Sequence, residues 1–360
     1  MNFLTKKIFS SSDKFFALDL SDLSVKIFEL ERGSKKDKIR SYRSQDIPAG
    51  YIEDDKIIDK KKTAQIIREA IGKSGPKKVN TKKVICSIPE SKAFLRIINI
   101  PKVDEEEARE AVRWELEANI PLTSDQVYFD WQFLGEAGGK QNVLTVAVSK
   151  GIIDDLAEVL SMAGLEVYGL EVESIATLRS LVPVESLAKE IFLIADIGAR
   201  RTSFIISEGT VPYFTSSIPF SSEIISNAIA GQLSVGMVEA EKIKIEHGIE
   251  HSLESSSVFR VVEPMLENLA SEIDKTIDFY RSISKEHSDV KKIILSGGGS
   301  NLRGILPYLT TRLSREITMG DPWINLNLGS DLPIIDKENS VRYTTAVGLA
   351  LKKIDYGNKY

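Results

Sequence analysis

Two α/β lobes built from one duplicated unit are what this sequence predicts, and three observations carry the prediction. An apolar strand ending in a carboxylate, a tight hairpin, a third strand and a helix occur near the start and recur about half a chain later. Each series closes on a similar strand, Lys82-Lys83-Val84-Ile85-Cys86 in the first and Lys291-Lys292-Ile293-Ile294-Leu295 in the second. The composition can fill two cores, since 42% of the 360 residues are hydrophobic and 28% charged.

In the first series, Phe15-Phe16-Ala17-Leu18-Asp19 reads as a strand, Leu20-Ser21-Asp22-Leu23 as a polar turn and Ser24 to Leu30 as the returning strand. A third strand runs through Arg40 to Ile47, and a periodic helix is expected from about Ile57 to Ile71. In the second series, Ile191 to Ala195 leads to Asp196, the turn Ile197-Gly198-Ala199-Arg200, strands Thr202 to Ser207 and Val211 to Ser217, and a helix from about Ser222 to Ala230. Ala93 to Val148 fits neither copy. It predicts a compact α+β insert: strand Phe94 to Ile100, helix Asp104 to Ala118 with Ala108, Ala111, Val112 and Leu116 at helical spacing, then strands Val127 to Leu134 and Val143 to Val148 joined through Gly135 to Gly139. A helix from about Ile152 to Met162 follows.

Forty-seven lysines and arginines against 52 acids give a net charge of -5, which argues against nucleic acid as a partner. Cys86 is the single cysteine, so no disulfide forms within the chain, and its apolar neighbours predict a buried thiol suited to a reducing cytoplasm. No run approaches the ~20 apolar residues of a membrane span, so membrane attachment is expected through a partner. Lys6 and Lys7 beside Phe3, Leu4, Ile8 and Phe9 could touch lipid, but a frayed solvated tail explains them better.

Asp19 and Asp196 each end a strand at a hairpin, a placement that suits hydrated Mg²⁺, which takes one or two carboxylates and keeps several waters. Backbone N–H groups of two such turns would form anion nests for a triphosphate. A lone aspartate there reads first as a turn former; the duplication favours the metal. The run Leu295-Ser296-Gly297-Gly298-Gly299-Ser300-Asn301 places three glycines between a strand and an expected helix, with Asn301 as its cap, and so offers backbone amides to a phosphate or ribose.

These residues resemble the phosphate-one, phosphate-two and adenosine motifs of the actin and Hsp70 superfamily, in the right order. The chain is identified as similar to the PilM family of type IV pilus assembly proteins through Ile100-Pro101, Arg113 to Pro121, Ala163-Gly164-Leu165, Glu171-Val172-Glu173-Ser174 and Ala346 to Leu351. The resemblance implies a duplicated actin-like (ribonuclease H-like) ATPase fold: lobe one over 1–190 with the insert (about 93–165) as subdomain 1C, lobe two over 191–341, and a C-terminal helix over 342–360 returning to lobe one.

It also implies ATP or ADP with Mg²⁺, the ion held through water by Asp19 and Asp196. Ser21, Ser24, Lys26, Gly198 and Thr202 would line the phosphates, Gly297, Gly298, Gly299 and Asn301 the nucleoside, and Glu241 and Lys244 the ribose and base. Glu173 would position the attacking water or cap a helix. Two departures count against tight phosphate binding and fast hydrolysis: Ser21-Asp22 where the family usually has glycine, and Ser221-Ser222 in place of a glycine pair. Arg200 and Arg201 could offset the added charge.

The expected function is a cytoplasmic, nucleotide-binding adaptor, peripheral to the inner membrane, that holds the N-terminal segment of a PilN-like bitopic protein in a groove between insert and lobe one. Strand Phe94 to Ile100 and Trp114 are its expected walls, unless Phe94, Leu95 and Trp114 merely fill the insert's core. The alternatives are a hydrolysing ATPase, a small-molecule kinase or an FtsA-like filament former. Homo-oligomers and the choice among pilus, competence and secretion machinery stay open.

Overall fold

In the computed structural model the described residues are 14–33, 36–120, 122–185, 190–249, 257–284, 289–329 and 335–352; the basic-apolar stretch from Phe3 to Phe9 and the C-terminal residues 353–360 lie outside them. The chain forms two compact units: Met1–Thr177 with Leu326–Pro333 and Thr345–Tyr360, and Leu178–Asn325 with Ile334–Thr344.

The first unit begins with β1 (Phe16–Leu20), β2 (Ser24–Glu31) and β3 (Lys38–Asp46), then the short hairpin β4 (Ile52–Glu53) and β5 (Lys56–Ile57). Helix α1 (Lys60–Gly72), β6 (Gly75–Pro76) and β7 (Lys83–Ile88) complete the first copy. Ile57, expected to open the helix, is in β5 instead. Asp54 and Asp55 take positive φ (48° and 60°), a turn in which both central residues are left-handed, and the helix starts only where the Asp59 carboxylate accepts from Lys62 N.

The insert follows: β8 (Ala93–Pro101), α2 (Glu105–Asn119), β9 (Val127–Ala137), β10 (Lys140–Ser149) and α3 (Lys150–Met162). The expected Gly135–Gly139 connection shrinks to a turn at Gly138 and Gly139, both at positive φ, because the flanking strands run on to Ala137 and Lys140. The strand order is β8-β10-β9. Ile98, Ile100, Val143 and Ala147 pack with Ala108, Val112 and Leu116 of α2, whereas Leu95, Leu144, Val146 and Val148 enter the first unit's main core with Leu156 and Val159 of α3. A strand not foreseen, β11 (Glu166–Val172), follows, and α4 (Glu173–Leu181) spans the division between units.

The second unit repeats the pattern: β12 (Ile191–Ile197), β13 (Thr202–Glu208), β14 (Val211–Ile218), α5 (Ser222–Leu233), α6 (Met237–His247), α7 (Ser257–Ile283) and β15 (Lys292–Ser296). A single 3₁₀ turn (Gly298–Asn301), α8 (Ile305–Leu313), β16 (Ile317–Met319) and α9 (Lys337–Ser340) follow. Then α10 (Thr344–Ala350) ends the described elements. Leu266, Leu269, Ala270, Ile273 and Ile277 of α7 recur every three or four residues and are buried against Leu193, Phe204, Ile206 and Ile293.

Strand order makes the duplication explicit. The first sheet reads β11-β7-β1-β2-β3-β6 and the second β14-β13-β12-β15-β16. In each, the first hairpin pair is antiparallel, as is its link to the third strand, while the closing strand lies parallel to the first (β7 on β1, β15 on β12).

Candidate functional site

Asp19 stands opposite Lys26 across the first hairpin, and the pairing register makes them neighbours on one face. Lys26 Nζ lies 3.0 Å from Asp19 Oδ2, and Ser87 Oγ on β7 donates to Asp19 Oδ1 at 3.1 Å. The same Ser87 oxygen accepts from Leu20 N at 3.0 Å. The turn closes through Ser21 N to Ser24 O at 3.0 Å, and Ser21 Oγ meets both Ser24 O and Ser24 Oγ at 3.1 Å. Serine thus stands where the second hairpin has Gly198, and its hydroxyl reinforces the turn. Asp22, expected to put charge near phosphate, is buried and accepts from Asp55 N at 2.8 Å, so its carboxylate anchors the β4–β5 turn. Glu173 Oε2 at the start of α4 accepts from Glu90 N at 3.3 Å, which ties that helix end to the segment after β7. Between these carboxylates Cys86 is fully buried; burial first, then the charges of Asp19 and Glu173, push its thiol pKa well up.

In the second unit, Gly198 N donates to Arg201 O at 2.8 Å, and a Cβ on Gly198 would stand 2.8 Å from that oxygen. The turn rests on the start of α5, where Ser222 N donates to Gly198 O and Glu223 N to Ala199 O. Gly297 (φ +79°) fits the end of β15 against β12, since a Cβ there would meet Ile197 O at 2.4 Å and Asp196 Oδ1 at 2.5 Å. Gly298 has room, its nearest neighbour being Arg342, and Gly299 is packed on Ile197. Asn301 does not cap α8. It ends the 3₁₀ turn, its amide donates to Glu338 O at 2.8 Å, and Gly304 in the left-handed region occupies the cap position.

Several other expected ligand groups are committed within the protein. Thr202 is fully buried and donates to Phe220 O at 2.9 Å. Arg200 pairs with Glu223 at 3.3 Å, so the compensating charge expected of it has a local counterion. The serine pair in place of glycines is structural: Ser221 caps α5 by accepting from Ile224 N, and Ser222 accepts from Lys244. Lys244 Nζ, only 8% exposed, donates to Ser222 Oγ (2.6 Å), Ser226 Oγ (2.8 Å) and Glu241 Oε2 (2.8 Å), which joins α6 to α5. Among the described residues no group of three or more His, Cys, Asp and Glu side chains is arranged to hold a metal ion.

Sequence reasoning missed a small recess in the first unit, between the hairpin and the insert. Leu20 and Ser21 of the hairpin, Ile52 and Ile57 of the β4–β5 hairpin, and Ile152 and Leu156 of α3 give it apolar walls, with Asp55 and Asp155 also lining it. Its walls come from segments far apart in the chain, so no local pattern announces it. Trp114 on α2 is 64% exposed and does not fill the insert's core; Leu95 does enter a core, that of the first unit.

A family model described as type IV pilus assembly protein PilM matches residues 17–354. The chain belongs to the PilM family. Among solved structures, the PilM–PilN type IV pilus biogenesis complex is similar to it with a TM-score of 0.83 at 24% identity, over 95% of this chain and 99% of that one. Ethanolamine utilization protein EutJ from Carboxydothermus hydrogenoformans follows at TM-score 0.56 and 16% identity, over 96% and 92% of the two chains. MreB5 of Spiroplasma citri bound to AMPPNP gives 0.55 at 15%, over 94% and 95%. The fold is the actin-like ATPase fold expected of the family, duplicated sheet and all. No helix among the described residues is long and apolar enough to cross a membrane.

Proposed function

We propose that this PilM-family chain is a nucleotide-binding adaptor of type IV pilus assembly that seats the N-terminal cytoplasmic segment of a PilN-like inner-membrane protein in the recess beside its insert. It stays in the cytoplasm and is held at the inner membrane by that partner. Family membership over 17–354 carries the reading. The recess gives it a physical form, because alternate apolar side chains of an extended peptide can fill pockets walled by Ile52, Ile57, Ile152 and Leu156. The exposed Trp114 and β8, an edge strand paired only with β10, support a second docking surface on the same insert.

Strand-end carboxylates and the glycine turn support a nucleotide. Asp19 and Asp196 end equivalent strands, and the glycine turn before Gly298 leaves backbone open beside Arg342. A bound Mg²⁺-nucleotide would supply phosphate charge there; the chain's own part in the second unit is to hold the Gly198 turn rigid against the start of α5.

The test is fluorescence anisotropy with a labelled peptide of the partner's N-terminus. Ile152→Glu, checked for an unchanged melting temperature, is expected to weaken binding at least tenfold, and a charge on the β8 edge or Trp114→Ala much less. Binding indifferent to Ile152→Glu and lost on changing the β8 edge would move the site to that second surface; a peptide that binds neither sinks the adaptor reading.

A further inference from the structure

The lysines between β6 and β7 gather at one end of the first sheet. Because β7 lies parallel to β1, the loop that leads into Lys83 sits where β1 begins, at the end opposite Asp19 and its hairpin. Backbone bonds fix this loop along its length: Lys77 N donates to Arg40 O at 3.1 Å, Val79 N to Ser74 Oγ at 3.3 Å and Thr81 Oγ1 to Lys14 O at 2.9 Å, while Lys82 O accepts from Glu166 N at 2.8 Å. Val79 packs on the core, and Lys77, Lys78 and Lys82 are exposed. Acids at the same end face other cations: Glu29 and Glu31 share Arg40 (3.3 and 3.7 Å), Asp37 faces Arg32 (3.9 Å) and Glu69 faces Lys73 (3.7 Å). Glu166, opposite Lys83 in the β7–β11 register, is set against all three loop lysines. A chain of net charge -5 thus carries a basic end. Residues 1–13 join the described chain here, through Lys14, whose carbonyl Thr81 holds. Their sequence adds Lys6 and Lys7 and the apolar Phe3, Leu4, Ile8 and Phe9. Chain length alone keeps Phe9 within about 18 Å of Lys14. By itself the stretch reads as a solvated tail; its attachment beside a fixed lysine loop changes that reading.

We propose that this end of the first unit binds an anionic lipid surface, Lys77, Lys78 and Lys82 meeting headgroup phosphates while Phe3, Leu4, Ile8 and Phe9 enter the bilayer interface. Binding to such an interface grows with the apolar area buried and with attraction to anionic lipids, and the two halves of this surface supply one each. Lysines held on one loop reach the leaflet together, within the Debye length of about 10 Å over which their charge is felt. Nucleic acid is the poorer partner, because the whole chain is acidic and four apolar side chains have no use on a phosphate backbone. The contact uses neither the recess nor the glycine turns. It adds to the hold of a membrane-anchored partner, so that the two together act as a bivalent attachment.

The test is sedimentation of the full chain, without partner or nucleotide, with vesicles of three parts phosphatidylcholine to one part phosphatidylglycerol. Binding is expected at low salt, is expected to weaken as salt rises, and is expected to be absent from pure phosphatidylcholine. The combined change Lys77→Glu, Lys78→Glu and Lys82→Glu, and separately Phe3→Asp with Phe9→Asp, should each weaken it about tenfold or more at an unchanged melting temperature. The same charge change placed on the second unit, at Lys242, Lys275 and Lys291, should leave binding within about twofold of the unaltered chain. No binding to the anionic vesicles overturns the proposal, and so does an equal loss from the two lysine triples. Indifference to the phenylalanine pair overturns it too, and if single-stranded RNA then competes with the vesicles, the surface belongs to nucleic acid.

Discussion

Lys244 Nζ donates to Ser222 Oγ at 2.6 Å, and this bond joins the helix expected to meet the nucleoside to the helix that supports the second hairpin. The sequence reads Lys244 as a base contact and Ser222 as a lost glycine. Their pairing accounts for both at once: serine supplies the acceptor that a nearly buried ammonium requires.

Removing that ammonium should therefore loosen the second unit. Lys244→Met leaves Ser222, Ser226 and Glu241 without their shared donor, and a loss of about 2 kcal/mol is expected for a hydrogen-bonded charged group of this kind. Differential scanning calorimetry should register it as a melting drop of about 4–8 °C in that unit. An unchanged transition would mean that the network adds nothing to stability.

Nucleotide binding should depend on the carboxylate and on the glycine that touches it. Asp196→Ala and Gly297→Ala are both expected to lower Mg²⁺-ATP affinity at least tenfold in calorimetry. The second acts by geometry alone, since φ +79° disfavours a side chain and the new Cβ would press on Ile197 O. Wild-type affinity in both folded variants excludes this turn from the site.

Hydrolysis should be slow, below about 1 s⁻¹, the lower end for working phosphoryl-transfer enzymes. The Thr202 hydroxyl is spent on Phe220 O, and the amides of Ser222 and Glu223 on Gly198 O and Ala199 O, so these donors are not free for developing γ-phosphate charge. Phosphate release measured with excess enzyme and then with excess ATP checks this; sustained turnover faster than that bound refutes it.

Cys86 should be inert in the folded protein. Burial and the charges of Asp19 and Glu173 raise its pKa, so at pH 8 the thiolate fraction falls below that of an ordinary cysteine. An aromatic disulfide reagent is expected to label it only after denaturant is added, and rapid labelling of the native chain would place it at an accessible surface.

Periodicity and order along the chain determined much of this protein. The two strand-hairpin-strand series, the insert that interrupts the first, the buried cysteine and the carboxylates at the strand ends were legible because each is written in a few neighbouring residues: alternating apolar positions, a turn, an acid. Tertiary structure decided the rest, for reasons of distance. Asp22 reads as a charge beside phosphate until Asp55, from a separate hairpin, presents its amide. Asn301 reads as a cap until the chain closes a 3₁₀ turn and restarts at Gly304. Trp114 reads equally well as core or as surface, because one helix position does not reveal which side the sheet will cover. The recess is the extreme case: Leu20, Ile52, Ser87 and Leu156 share no spacing, and only the burial of β7 and α3 against one hairpin makes them a single wall.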